Sequence, residues 1–117
     1  INAVTSDYSC ISSLTQAIFV SEGENPAPIA RISAMIAGGT IGIRGIILSL
    51  SNDSTTYDNN SNLLARAEQQ SAIQATLSVS TLFYNANDST DVPIYVWLKG
   101  SGSGNVRAYS AIEYLRR

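Results

Sequence analysis

Asp91-Val-Pro-Ile-Tyr-Val-Trp-Leu-Lys99, then Gly100-Ser-Gly-Ser-Gly104, then Asn105-Val-Arg-Ala-Tyr-Ser-Ala-Ile-Glu-Tyr-Leu-Arg-Arg117 close the chain. The first run alternates. In an extended backbone Ile94, Val96 and Leu98 fall on one face, and Tyr95, Trp97 and Lys99 on the other. Its β-branched and aromatic residues suit a pleated, half-buried surface. The glycine-serine break is costly to order in either a strand or a helix. The second run alternates again, with Val106, Ala108, Ile112 and Tyr114 opposite Arg107, Tyr109, Glu113 and Leu115. Two alternating runs around such a break predict a terminal β-hairpin, and with it an all-β fold.

Outward from this hairpin the pattern repeats. Residues 71–84 predict a long strand, with Leu77, Val79, Thr81 and Phe83 opposite Ser78, Ser80 and Leu82. Residues 63–70 hold helix formers and are expected to make a short turn of helix. Residues 29–37 alternate Ile32, Ala34 and Ile36 with Arg31, Ser33 and Met35, and Gly38-Gly39 follows as a two-residue hairpin turn. The return strand, residues 40–50, is apolar on both faces after Gly45, a position that suits a bulge or a close backbone approach. Residues 14–20 are a further strand, and residues 1–13 fit an edge strand or an ordered arm. Polar loops are expected at 21–28, 51–62, 85–91 and 100–104. Strands at this short spacing predict an antiparallel β-sandwich or a barrel.

At 117 residues the chain makes one domain, long enough for a core without disulfides. Apolar residues make up 44%, which excludes a disordered chain, while charged residues are only 14%. The net charge is −2 with no basic cluster, so a nucleic-acid partner is not expected. No run approaches the roughly 18 apolar residues of a membrane-spanning helix, so no membrane insertion is expected. A start at Ile1, with no initiator Met or signal peptide, is read as a processed product or an excised domain.

The residue types argue against catalysis. There is no histidine, and the single cysteine, Cys10, is expected to be a small buried apolar thiol. Neither a Ser-His-Asp arrangement, a Cys–His pair nor a zinc site can be assembled. No cofactor and no enzyme activity are expected. Asp58-x-Asn60-x-Asn62 begins like an EF-hand loop, but Leu63 stands where glycine is needed and Gln69 where a bidentate glutamate is needed. Asn52, Asn59 and Asn87 open Asn-x-Ser sequons in predicted loops.

Large aromatics on the second face of the terminal hairpin would form a costly exposed patch. A closed barrel filling both faces would bury them. An oligomer interface formed by Tyr95, Trp97, Tyr109, Ile46 and Leu48 is preferred.

The strand Asp-Val-x-Ile-Tyr-Val-Trp-Leu, the Gly/Ser-rich turn and the ending Tyr-Ser-Ala-Ile-Glu-Tyr-Leu-Arg-Arg117 resemble the two final strands of trimeric jelly-roll head domains of the C1q/tumour-necrosis-factor type. The same ending looks like that of viral fibre heads (knobs) of adenovirus type and of phage tail-fibre tips. The resemblance covers residues 71–117, and 28–50 more loosely; there is no collagen repeat. It implies an all-β antiparallel sandwich, jelly-roll-like, as a homotrimeric head domain at the virion surface. It also implies attachment to a host cell-surface receptor, protein or glycan, with Tyr57, Arg44 and Arg107 as receptor-binding candidates. A secreted C1q/TNF-like module, a lectin-like sandwich using Trp97 as a sugar platform, and a structural spike without a receptor are the alternatives.

Overall fold

The computed structural model describes residues 8–16, 29–37, 44–69, 77–85, 91–100 and 107–115. They form seven strands: β1 (Ser9–Gln16), β2 (Ile29–Ala37), β3 (Arg44–Ser49), β4 (Leu63–Gln69), β5 (Leu77–Tyr84), β6 (Val92–Gly100) and β7 (Arg107–Leu115). Two antiparallel sheets result, one ordered β1-β6-β3-β4 and the other β5-β2-β7.

Period-two alternation decides which side chains meet between the sheets. Ile32, Ala34 and Ile36 of β2 are buried, and so are Ile46, Leu48, Ile94, Val96 and Leu98 from β3 and β6. Leu77, Val79 and Phe83 of β5 and Ile112 of β7 pack against them. Burying each large aliphatic contributes about 1.5–3 kcal/mol, which makes this layer the main stabilising term.

The pairing is nested. β1 pairs with β6, β2 with β5, and β3 with β4, as in one long antiparallel ribbon folded back on itself. β3 also pairs with β6, closing the four-stranded sheet, and β7 adds to the free side of β2. Among the described strands only β3 and β4 form a hairpin between chain neighbours.

That topology corrects two expectations. β6 and β7 do not form a hairpin, because they lie in different sheets. β2 and β3 are separated in the same way; the Gly38-Gly39 turn and residues 101–106 lie outside the described residues. Alternation marks a buried face, but it does not name the neighbouring strand. The predicted helical turn at 63–70 is also overturned: Leu63–Gln69 is strand β4. Seven residues are too short for a stable isolated helix. Here Ala65 and Ala67 sit opposite Leu48 and Ile46, where extension fills the core and pairs β3. The predicted faces of residues 29–37 and 77–84 match the burial of β2 and β5. Residues 17–20, 40–43 and 71–76 of the predicted strands lie outside the described residues.

The register also sorts the ends of the sandwich. Ser9, Gly100, Arg44 and Gln69 share one end of their sheet, and Gln16, Val92, Ser49 and Leu63 the other. Residues 38–43, 70–76 and 101–106 join the sheets at Ala37 to Arg44, Gln69 to Leu77 and Gly100 to Arg107. These are too few to cross between sheets and also run a strand's length. The start of β1 therefore lies at one end, and the two attachment points of the loop 50–62 with the end of β7 at the opposite one.

Ile46→Ala should lower the free energy of unfolding by about 2–5 kcal/mol through lost burial and a cavity. Asn60→Ala in the exposed loop should change it by no more than about 0.5 kcal/mol. Urea denaturation of both variants measures the contrast, and equal losses would contradict the assigned core.

Candidate functional site

The loop between β3 and β4 begins as a polar sequence, Ser51-Asn-Asp-Ser-Thr-Thr-Tyr-Asp-Asn-Asn-Ser-Asn62, rich in residues whose side chains bond nearby backbone. The structure uses them in that way. The Thr55 amide and hydroxyl both donate to Asp53 Oδ1 at 2.8 Å. This holds the Asp53 carboxyl below its usual range, the amide bond being the larger cause. The Tyr57 amide donates to Asp53 O at 3.0 Å, and the Leu63 amide to Asn59 O at 2.8 Å. Asn62 Nδ2 donates to Thr56 O at 2.9 Å, so this side chain of the EF-hand-like triplet braces the loop. Ser49 Oγ, buried at the end of β3, donates to Tyr57 O at 2.7 Å and accepts from the Ser51 amide at 3.0 Å. Asn52 and Asn59, the sequon asparagines here, are exposed, and Asn87 lies outside the described residues.

Two aromatics fasten this loop to the outer face of the four-stranded sheet. Trp97 Nε1 donates to Ser51 O at 2.9 Å. The Trp97 ring stacks on Tyr57 with centroids 4.2 Å apart and planes 17° apart. Tyr57 meets Tyr8 in a tilted contact at 5.7 Å. Trp97 retains only 3% exposure, and its strand neighbour Ile47 none. The chain's own loop and aromatics thus lie over the second apolar face of residues 46–50.

Beyond Trp97 on that outer face stands a polar cluster. Gly45 lies in the row formed with Lys99 and Glu68. A Cβ at Gly45 would collide with the Tyr8 hydroxyl and stand 2.8 Å from Tyr8 Cζ, so glycine is what lets the ring lie across β3. This is the close backbone approach expected at Gly45. Tyr8 donates its hydroxyl proton to Glu68 Oε2 at 2.8 Å. Arg66 reaches the same oxygen at 2.9 Å and Lys99 at 3.1 Å. Lys99 Nζ also lies 4.9 Å from the Tyr8 ring centroid. The Tyr8 hydrogen bond, then that of Arg66, hold the Glu68 carboxyl down at about 2. Burial, followed by the bond to Glu68, pushes the Tyr8 phenol well above its ordinary value.

The residues predicted as a site are not gathered together. Ile46 and Leu48 are fully buried core residues and Trp97 is nearly so, which leaves them no area for a partner chain. The Trp97 edge and ring face are taken up by Ser51 and Tyr57, which also removes Trp97 as a sugar platform. Of the interface candidates, Tyr109 is 48% exposed and Tyr95 half-buried. Among the receptor candidates Tyr57 lies in the loop that folds over the four-stranded sheet. Arg44 and Arg107 begin β3 and β7, in different sheets. Cys10 is exposed rather than buried. It pairs in register with Trp97 on the edge strand β1, where no neighbouring strand covers it among the described residues. Sequence reasoning missed Tyr8, Arg66 and Glu68. Only the Arg-x-Glu alternation at 66–68 hinted at them.

No family model, no curated protein and no solved structure matches this chain.

The pKa directions set the pH response. Glu68 is depressed, so its contribution is present above the ordinary carboxylate value and is lost as pH falls from about 4.5 toward about 2. Tyr8 is raised, so its contribution is present below about pH 10 and is lost as pH rises beyond that. Tyr8→Phe should flatten both losses in thermal unfolding measured across pH, at a cost of about 1 kcal/mol near neutrality. Gly45→Ala should displace the ring and bring the Tyr8 phenol back toward its ordinary value. Spectroscopic titration of tyrosine ionisation would show this, and an unchanged titration would contradict the packing of Tyr8 over Gly45.

Proposed function

We propose that this chain is the head domain of a homotrimeric viral or phage fibre, attaching the particle to a receptor on the host cell surface. The observation that carries the reading is the nested strand pairing, β1 with β6, β2 with β5 and β3 with β4. It is consistent with the wrapping of a jelly roll, in which a long antiparallel ribbon curls so that its halves face each other. β7 follows as a last strand on the second sheet, consistent with the ending shared by such heads.

The placement of the ends supports the same reading. A shaft preceding the domain would enter where β1 starts. The braced loop 50–62 leaves and rejoins the sheet at the opposite end and folds over the outer face until Tyr57 meets Tyr8, so a receptor would meet its exposed side chains along that face. Rigid scaffold below and polar loop above is a common arrangement for recognition surfaces. The internal hydrogen bonds of the loop lower the ordering cost of binding. Its exposed amides, hydroxyls and carboxylates suit a polar partner, a glycan or a protein surface, with Tyr57 as its half-buried aromatic. The reading requires no reaction and no cofactor.

Light scattering after size exclusion tests this reading. A mass near three times the 12.5 kDa chain is expected. A mass of one chain across the accessible concentration range would reject the trimeric head.

A further inference from the structure

Tyr8 stands just ahead of β1, and its ring lies across the outer face of the four-stranded sheet. It meets each of the other three strands there. Lys99 of β6 places Nζ 4.9 Å from the ring centroid, Gly45 of β3 leaves room for the ring, and Glu68 of β4 accepts the hydroxyl proton at 2.8 Å. The ring also meets Tyr57 of the loop 50–62, with centroids 5.7 Å apart and planes 52° apart. Tilted aromatic pairs attract at such separations.

The loop keeps its own shape through local bonds, among them those from Thr55 and Tyr57 to Asp53 and from Asn62 and Leu63 to Asn59. Its attachment to the sheet uses other groups. Ser51 O accepts from Trp97 Nε1, and Tyr57 O accepts from Ser49 Oγ. The Tyr57 ring stacks on Trp97 and tilts against Tyr8. Ser49 and Trp97 are buried members of strands that the core fixes in place. Tyr8 is placed differently. It precedes the β1 ladder, which begins at Ser9 on an edge strand. Segments so placed open at the least cost, so what the Tyr8 ring and hydroxyl touch decides where residue 8 lies.

We infer that Tyr8 is a latch: seated over Gly45 and fastened to Glu68, it holds Tyr57 against Trp97 and so couples the start of β1 to the order of the loop 50–62. Lifting the chain at residue 8 loosens the loop. A partner that grips the braced loop holds residue 8 down in return, because such coupling is reciprocal. Gly45 is part of the device, since a Cβ there would meet Tyr8 and Lys99 rather than the loop. The coupling lies within one chain and does not rest on the trimeric reading.

Hydrogen exchange and acrylamide quenching of Trp97 fluorescence on the full chain test the latch, with circular dichroism as a check on folding. Trp97 is the sole tryptophan, so its emission reports the cover over it. In Tyr8→Ala the Tyr57 and Leu63 amides should exchange about two- to tenfold faster, the size of one aromatic contact, and quenching should rise. Gly45→Ala should do the same. Adding it to Tyr8→Ala should change neither readout further, since no ring is left to unseat. Tyr8→Phe keeps the ring and loses its anchor, and should fall between wild type and Tyr8→Ala. Ile46→Ala weakens the core instead, and should speed exchange in β2 while leaving the loop amides near wild type. Wild-type loop exchange and quenching in Tyr8→Ala would overturn the latch. So would Gly45→Ala effects that add in full to those of Tyr8→Ala, or loop amides that respond to Ile46→Ala as strongly as to Tyr8→Ala. Tyr8→Ala removes no core residue, so it carries the comparison if Gly45→Ala fails to fold.

Discussion

Everything in this protein depends on burying β2 against β3 and β6. Ile32, Ala34 and Ile36 on one side and Ile46, Leu48, Ile94, Val96 and Leu98 on the other make one apolar layer. These side chains form the buried apolar cluster of the described residues, and none of these three strands is an edge strand. The strands that carry the layer come from the first, middle and last thirds of the chain. Long-range pairing therefore has to be established before burial stabilises it, and folding of such β topologies is slow for that reason.

The same constraint leaves two outer faces to be managed. On the four-stranded sheet the chain covers its own surplus. Trp97 stacks on Tyr57 and donates to Ser51, and this fastens the loop 50–62 to the sheet. Tyr8 crosses Gly45 and ties its hydroxyl to a carboxylate already held by Arg66 and Lys99. The edge strand β1 is thereby anchored from outside the core as well as through its pairing with β6. On the three-stranded sheet no such cover exists among the described residues. The asymmetry makes one face an internal support for the loop and leaves Leu82, Tyr84 and Tyr109 exposed on the other.

Much of this was legible residue by residue. The alternation at 29–37 coincides with β2, and its inward residues are the buried ones. Thr81 and Phe83 face in and Leu82 out, as the pattern at 77–84 required. The loop at 51–62 was legible from its composition, since Ser, Thr, Asn and Asp bond their own backbone. The aromatic face of residues 95–99 was legible too, but its purpose was not. Trp97 reads as a surface residue until the loop that covers it is seen, and Leu63–Gln69 reads as helical until Ala65 and Ala67 are seen opposite Leu48 and Ile46.

By itself, then, the sequence determined the class and the faces: an all-β chain, its strands apart from β4, and which of their side chains turn inward. Side-chain alternation is local, written in consecutive residues and independent of what lies across the ladder. Only the tertiary structure decided which strands are neighbours, that β6 and β7 part into different sheets, and that Tyr8, Arg66, Glu68 and Lys99 meet. Pairing depends on the combined burial and backbone hydrogen bonding of segments far apart in the chain. No short stretch holds that sum, so neither the register nor the cluster it assembles can be read from one strand at a time.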